Sequence, residues 1–251
     1  MVSLLGSGDP QAVETLGNVD GAPLLVLCDH ASNRVPEALG DMGLEQRHLE
    51  AHIAWDIGAR QVTQHLIDMI GGHAILGCYS RLVIDCNRPL SNSSLVPEIS
   101  DGVSIPANKG LSSSEIGRRV EEIYLPYHYA VVRALTQFKA RGVRPFVLGL
   151  HSCTPVMKGV CRPWSIGIAH STVRDVSDKF VRQMKAYGGF QVGDNEPYAI
   201  DDDDYTFPAH IVRANLKHVF IELRQDLIAD DAGAAEWANI LRRGIKDLSL
   251  V

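Results

Sequence analysis

The sequence predicts an α/β fold, and three observations carry that expectation. Short apolar runs bounded by turn residues alternate with stretches of helical spacing, the pattern of strands interleaved with helices. Three of those runs, 24–28, 146–150 and 219–223, each deliver a polar side chain at or near one end: His30, His151 with Ser152, and Glu222. Strand ends are where α/β folds place ligands and catalytic groups, so the three runs point to one shared site. No internal repeat and no strong linker divides the 251 residues, so a single domain over 1–251 is expected.

Along the chain, residues 1–20 carry little pattern and read as a surface arm. After the first strand, 29–40 is a loop that opens into a short helix past Pro36. Residues 46–69 have helical spacing, with Ile53, Ile57, Val62, His65, Leu66 and Ile70 near one face. Two short strands are expected at 74–76 and 82–84, the second running into Asp85, Cys86, Asn87 and Arg88. The stretch 89–109, rich in Ser, Pro and Asn, has no period and reads as a long loop. Ser112 with Glu115 close behind signals a helix start; that helix runs to about 141, adjusts at Pro126 and ends at Gly142. A strand at 165–169 and a helix over 172–187 follow, the helix stopped by Gly188 and Gly189. Residues 195–208 form a polar loop. The last helix spans 232–248, with Trp237, Ile240, Leu241 and Ile245 on one stripe.

Composition narrows the function. Hydrophobic residues make up 45% and charged residues 22%, as in a folded soluble chain. The net charge of −6 argues against nucleic acid and anionic membranes as partners. None of the five cysteines forms a CxxC pair, so reduced thiols are expected rather than a structural zinc site. The first residues lack a basic segment and a long apolar stretch, and no run approaches the ~20 residues needed to span a bilayer. A cytoplasmic protein is expected.

The polar groups then sort by chemistry. Neutral imidazole suits zinc, and catalytic zinc takes three protein ligands and leaves a position open. A lone histidine at a strand end is more often structural; His30 and His151, each following an apolar strand, keep the metal reading open beside that one. Asp56 lies on the apolar face of the predicted 46–69 helix, where a carboxylate is costly unless paired or bound to a cation. It is a third ligand, a surface acid or the partner of an arginine. Asn33 is a poorer ligand, and Asp29 can orient a histidine. Glu222 interrupts an apolar run; buried, its raised pKa would prepare it as a general base, whereas alternation also allows it to face solvent. Arg88 offers a planar fork for a carboxylate, or an ordinary pair with Asp85, and Arg81 lies just before it. Asn195, Tyr198 and His210 are loop groups able to line a pocket. The run Asp201–Asp204 lacks the spaced oxygens and glycine of a calcium loop and reads as solvated. There is no Gly-rich phosphate loop and no G-x-S-x-G elbow.

Six segments in order, DHASNRVP at 29–36, WDIG at 55–58, SRLVIDCNRP at 80–89, LHS at 150–152, NEPY at 195–198 and IELRQD at 221–226, resemble the N-formylglutamate amidohydrolase family. That family is similar in turn to zinc carboxypeptidases and aspartoacylase-like hydrolases. The resemblance implies a three-layer α/β/α sandwich around a mixed sheet. It also implies a zinc ion, or another divalent metal, on His30, His151 and a carboxylate. Carboxypeptidases place a glutamate three residues after the first histidine; this chain has Asn33 there, which makes Asp56 the choice. Characterised formylglutamate deformylases tend to show Ser-Gly after that histidine, and here the pair is Ala31-Ser32. The implied reaction is hydrolysis of the amide of an N-acyl amino acid, first N-formyl-L-glutamate. Glu222 would act as base, Arg81 would face the developing oxyanion, Asn87 and Arg88 would hold the α-carboxylate, and Arg224 or Arg34 would read a side-chain carboxylate. Two further readings stay open: a zinc exopeptidase or other N-acyl amino acid hydrolase, and a metal-free protein that binds carboxylates without turnover.

Overall fold

The structure, a computed structural model, describes residues 3–171 and 174–251. Its strands are β1 (Val13–Gly17), β2 (Leu24–Cys28), β3 (His73–Gly77), β4 (Ile99–Ser100), β5 (Val103–Ser104), β6 (Phe146–Cys153), β7 (Val156–Met157), β8 (Val160–Cys161), β9 (Ile166–Ala169), β10 (Val192–Asp194) and β11 (His218–Arg224). The α-helices are α1 (Gln46–Leu49), α2 (Ala59–Ile70), α3 (Ser113–Arg119), α4 (Leu125–Ala140), α5 (Asp175–Tyr187) and α6 (Asp231–Asp247).

Seven strands form one mixed sheet in the order β1-β3-β2-β6-β11-β9-β10. β3, β2, β6 and β11 run parallel, whereas β1 and β9 pair antiparallel with β3 and β11. The central strands are apolar on both faces because both are covered. Leu25 and Leu27 of β2 pack with Tyr127, Val131 and Phe138 of α4. Leu24, Val26 and Cys28 pack with side chains of α2, α5 and α6. This is the expected three-layer α/β/α sandwich. From β2 the chain goes first to β3 on one side and later to β6 on the other. The strand order therefore reverses between β2 and β6, where α/β sheets open a crevice at the strands' carboxyl ends.

Several elements differ from the sequence expectation. The supposed arm contains β1, which closes one sheet edge, and Leu4 and Ala12 are buried. The 46–69 helix is two helices, with turns between α1 and α2. Gly58 makes the break: its φ of 81° is left-handed, and a Cβ there would run into the Ile228 carbonyl. The run 82–84 is as buried as a strand but makes no ladder. The Leu82 carbonyl accepts from the Asn108 amide, and the Val83 carbonyl accepts from Arg119, so a buried loop is satisfied by side chains instead of a neighbour. The 89–109 loop holds the β4–β5 hairpin. The Ser112–Glu115 capping box is present, and the helix adjusts through a π segment at Val120–Tyr124 just before Pro126. The expected start of the next helix, Thr172, lies outside the described residues; α5 begins at Asp175.

Candidate active site

The site forms where β2, β6 and β11 end. The parallel register sets Glu222 of β11 directly beside His151 of β6. Both project to the face covered by α4, and Phe220 stacks on the His151 ring at 4.5 Å between centroids. His30 follows β2 by two residues, and its carbonyl accepts the backbone N–H of Asp56 at 2.9 Å. Asp56 thus reaches the site from the turn ahead of α2, not from a helix face.

His30, Asp56 and His151 converge, with one potential ligand atom from each lying within 4.8 Å of the others. Asp56 Oδ2 is 2.9 Å from His151 Nδ1 and 3.6 Å from His30 Nδ1. Its other oxygen accepts from Arg81 Nη2. Each imidazole turns its far nitrogen to a second carboxylate: His30 Nε2 donates to Asp85 at 2.7 Å, and His151 Nε2 lies 3.5 Å from Asp29 Oδ2. Such outer carboxylates fix the tautomer and orientation of metal-ligating histidines. Burial, with Arg81 nearby, lowers the His30 pKa, so the ring is neutral and its Nδ1 carries a lone pair. Burial by itself would raise the Asp85 pKa, but His30, Arg81 and Arg88 hold the carboxyl well below the usual range. His30 Nδ1 is buried and has no hydrogen-bond partner. An orphaned imidazole nitrogen facing a buried carboxylate, with a second imidazole opposite, fits a divalent cation.

Glu222 is 8% exposed, and its Oε2 is another buried atom without a partner. Burial raises its pKa against the pull of His151 and Arg81, as suits a group that takes and returns a proton. A cleft of about 450 Å³ opens over these residues.

Of the residues singled out in the sequence, His30, Asp56, Arg81, Asn87, Arg88, His151, Tyr198 and Glu222 line the cleft. Asn87 is already engaged there: its amide donates to Asp204 Oδ1 at 2.7 Å, and its oxygen accepts the backbone N–H groups of Tyr205 and Thr206. Asp201, Asp203 and Asp204 stand at the cleft; Asp201 and Asp203 are exposed, as a solvated loop implies, and Asp204 is half-buried. Three expected substrate-binding residues are elsewhere. Asn195 turns its oxygen to the backbone N–H of His170. His210 stacks on His128, 3.0 Å from nitrogen to nitrogen. Arg224 is held by two bonds to Asp226. Arg34 lines a separate hollow beside β3, and the Asn33 amide donates to the Leu49 carbonyl. Sequence reasoning missed Arg162 and Lys158, which the β7–β8 hairpin brings to the cleft, and it missed Asp85 as the partner of His30. Nothing in the local sequence marks these three; Asp85 meets His30 across 55 residues of chain and Arg162 meets Tyr198 across 36.

The model of the N-formylglutamate amidohydrolase family matches residues 22–229, a span that contains every element of this site. The chain belongs to that family. It is accordingly a hydrolase that acts on an amide bond. Among solved structures, a gene product of Agrobacterium tumefaciens is 32% identical with a TM-score of 0.94, covering 98% of this chain and 98% of its own. The N-formylglutamate amidohydrolase from Ralstonia eutropha is 16% identical with a TM-score of 0.64, covering 94% of this chain and 100% of its own, a likeness of fold. No curated protein matches the sequence.

Proposed function

We propose that this amidohydrolase is metal-dependent and splits N-formyl-L-glutamate with water into formate and L-glutamate. The observation that carries the reading is the meeting of His30, Asp56 and His151 around one point with the unpartnered Glu222 carboxylate beside it. Two imidazoles and a carboxylate suit zinc first among the divalent metals. Held there, the metal supplies Lewis acidity toward the carbonyl and brings the pKa of water to about 7. Glu222 takes the proton of the attacking water and passes it to the nitrogen of the leaving amine. Arg81 holds Asp56 with one nitrogen and keeps donors over for the developing oxyanion. Arg88 takes the α-carboxylate, and Asn87 fixes the 204–206 segment next to it. Asp85 and Asp29 keep the two imidazoles oriented.

The chain works as one domain built on a single main sheet. Its five unpaired cysteines fit a reducing compartment, the cytoplasm, and among the described residues no helix is long and apolar enough to cross a membrane. Formate release from N-formyl-L-glutamate, measured before and after chelation and zinc return, tests the reading. Activity lost on chelation and restored by zinc is the expected result. Tightly bound zinc without formate release would keep the metal and refute the substrate. Neither metal nor turnover would refute both.

A further inference from the structure

Among the arginines of the cleft, Arg162 is the one whose charge the protein does not answer. Arg81 is paired with Asp56, and Arg88 lies 4.0 Å from Asp85 and 3.8 Å from Asp204. Arg162 is 9% exposed, and among the described residues no carboxylate oxygen comes within 4.0 Å of its nitrogens. Its Nη2 donates to the Tyr198 hydroxyl at 2.6 Å, its Nη1 reaches the Thr154 carbonyl at 3.4 Å, and the guanidinium lies over the Tyr198 ring at 4.7 Å. Both acceptors are neutral. A guanidinium so deeply placed is costly without a counter-charge, and the cleft is the side from which one can arrive.

The placement is built rather than incidental. The Arg162 backbone N–H donates to the Pro155 carbonyl at 2.8 Å, and its own carbonyl accepts from Arg224 Nη1 at 3.3 Å. Arg224, fixed by Asp226, thus braces the arginine that reaches the cleft. Glu222 keeps an unpartnered oxygen in the cleft but comes no nearer than 4.0 Å to the Arg162 nitrogens, and the other acids around Arg162 are committed elsewhere. Asp201 and Asp204 accept backbone and amide hydrogens within their own loop and from Asn87, Asp203 accepts from Asn92, and Asp101 lies 3.2 Å from His52.

We propose that Arg162, braced by Tyr198, is the specificity residue that binds a carboxylate on the substrate side chain, so that the site selects acidic N-acyl amino acids. This rests on the amidohydrolase reading above and adds the residue that separates glutamate from its neutral isostere. With Arg88 on the α-carboxylate and Arg162 on the second, one cleft carries two anion positions. Glutamine would leave the guanidinium buried and unpaired, the circumstance in which a polar site rejects an analogue most strongly.

The test is kcat/KM for N-formyl-L-glutamate and N-formyl-L-glutamine on metal-loaded wild type, Arg162→Gln and Tyr198→Phe. Wild type is expected to prefer the glutamate by about 100-fold or more. Arg162→Gln should cut that preference to within about threefold, mainly through KM. Tyr198→Phe, which keeps the guanidinium, should cut it by less. A wild type without the preference, or a folded Arg162→Gln protein that retains it, overturns the proposal. If Arg162→Gln does not fold, Arg162→Lys decides: it keeps the charge but loses the planar fork, so an unchanged preference counts against the assignment. If wild type hydrolyses neither compound, the amidohydrolase reading has failed separately. Calorimetry with glutarate then reads Arg162 directly: binding by wild type that Arg162→Gln loses supports the anion position, and no binding by wild type overturns it.

Discussion

Two pairs of histidines lie on the same face of the sheet, and only one of them is equipped for chemistry. His30 and His151 have ring centroids 5.3 Å apart; His128 and His210 have theirs 5.1 Å apart. The first pair is ringed by Asp29, Asp56 and Asp85, and a cleft opens beside it. The second is packed by the rings of Tyr124, Tyr127 and Tyr205, and its two imidazoles share a hydrogen bond with each other. Burial lowers the imidazole pKa of His30 in the first pair and of His128 and His210 in the second. A cation also needs carboxylate oxygen within ligand reach, and among the described residues the clustered set is His30, Asp56 and His151, with no carboxylate joining the tyrosine-lined pair.

The comparison breaks most sharply under ligand removal. His151→Ala or Asp56→Ala should abolish both bound metal, measured by elemental analysis, and formate release. His210→Ala should keep its metal and stay within about threefold of wild type in kcat/KM. A His210 variant that loses metal would erase the distinction between the pairs. Glu222→Gln should next separate holding metal from using it: metal content stays at the wild-type level while kcat falls by roughly 10²–10⁴-fold. Normal turnover in that variant would refute the base assignment. Asp85→Asn leaves every ligand in place and loosens only the orientation of His30, so metal affinity should drop by about 10–100-fold in a competition titration.

The smallest effect sharpens the other side. Burial, with His210 opposite, lowers the His128 pKa from 6.5 to about 4. Between those values the unfolded chain binds a proton that the folded one refuses, so stability falls as pH falls through this window and is fully present above pH 6.5. The loss by pH 4 is roughly 3 kcal/mol from this one group. Denaturant titrations should show the slope flattened in His128→Gln. An identical pH profile in wild type and variant would mean that His128 is not held neutral by its surroundings.

Much of the scaffold was legible in the sequence. The β2 run LLVLC is buried at every position, and an unbroken apolar run between turn residues marks such a strand. Ser112 and Glu115 announce their helix because the capping box is a contact between residues three apart. Asp56 was legible as a candidate and misplaced as to element: the apolar spacing of 46–69 continues across the turn at Gly58, whose left-handed backbone splits the helix. The run 82–84 is apolar for burial alone, and hydropathy does not say whether a neighbour will supply a ladder. Arg224 was the wrong cation by one layer, since it supports the carbonyl of Arg162 from behind.

Local pattern by itself determined the α/β class, the central strands and the helix ends. These rest on periodicity and on hydrogen bonds between near neighbours, which a contiguous stretch of residues encodes. Local pattern also put His30, Asp56, His151 and Glu222 on the shortlist, and the family resemblance added the three-layer form and their roles. The tertiary structure decided which polar groups meet. Asp85 lies 55 residues from its partner His30, and Asp56 lies 95 residues from His151. Their meeting follows from β2 and β6 being neighbours, and the β6–β11 register sets Glu222 beside His151. Long-range pairing of that kind is settled by the packing of the whole sheet between its two helical layers, and no local stretch of sequence carries it.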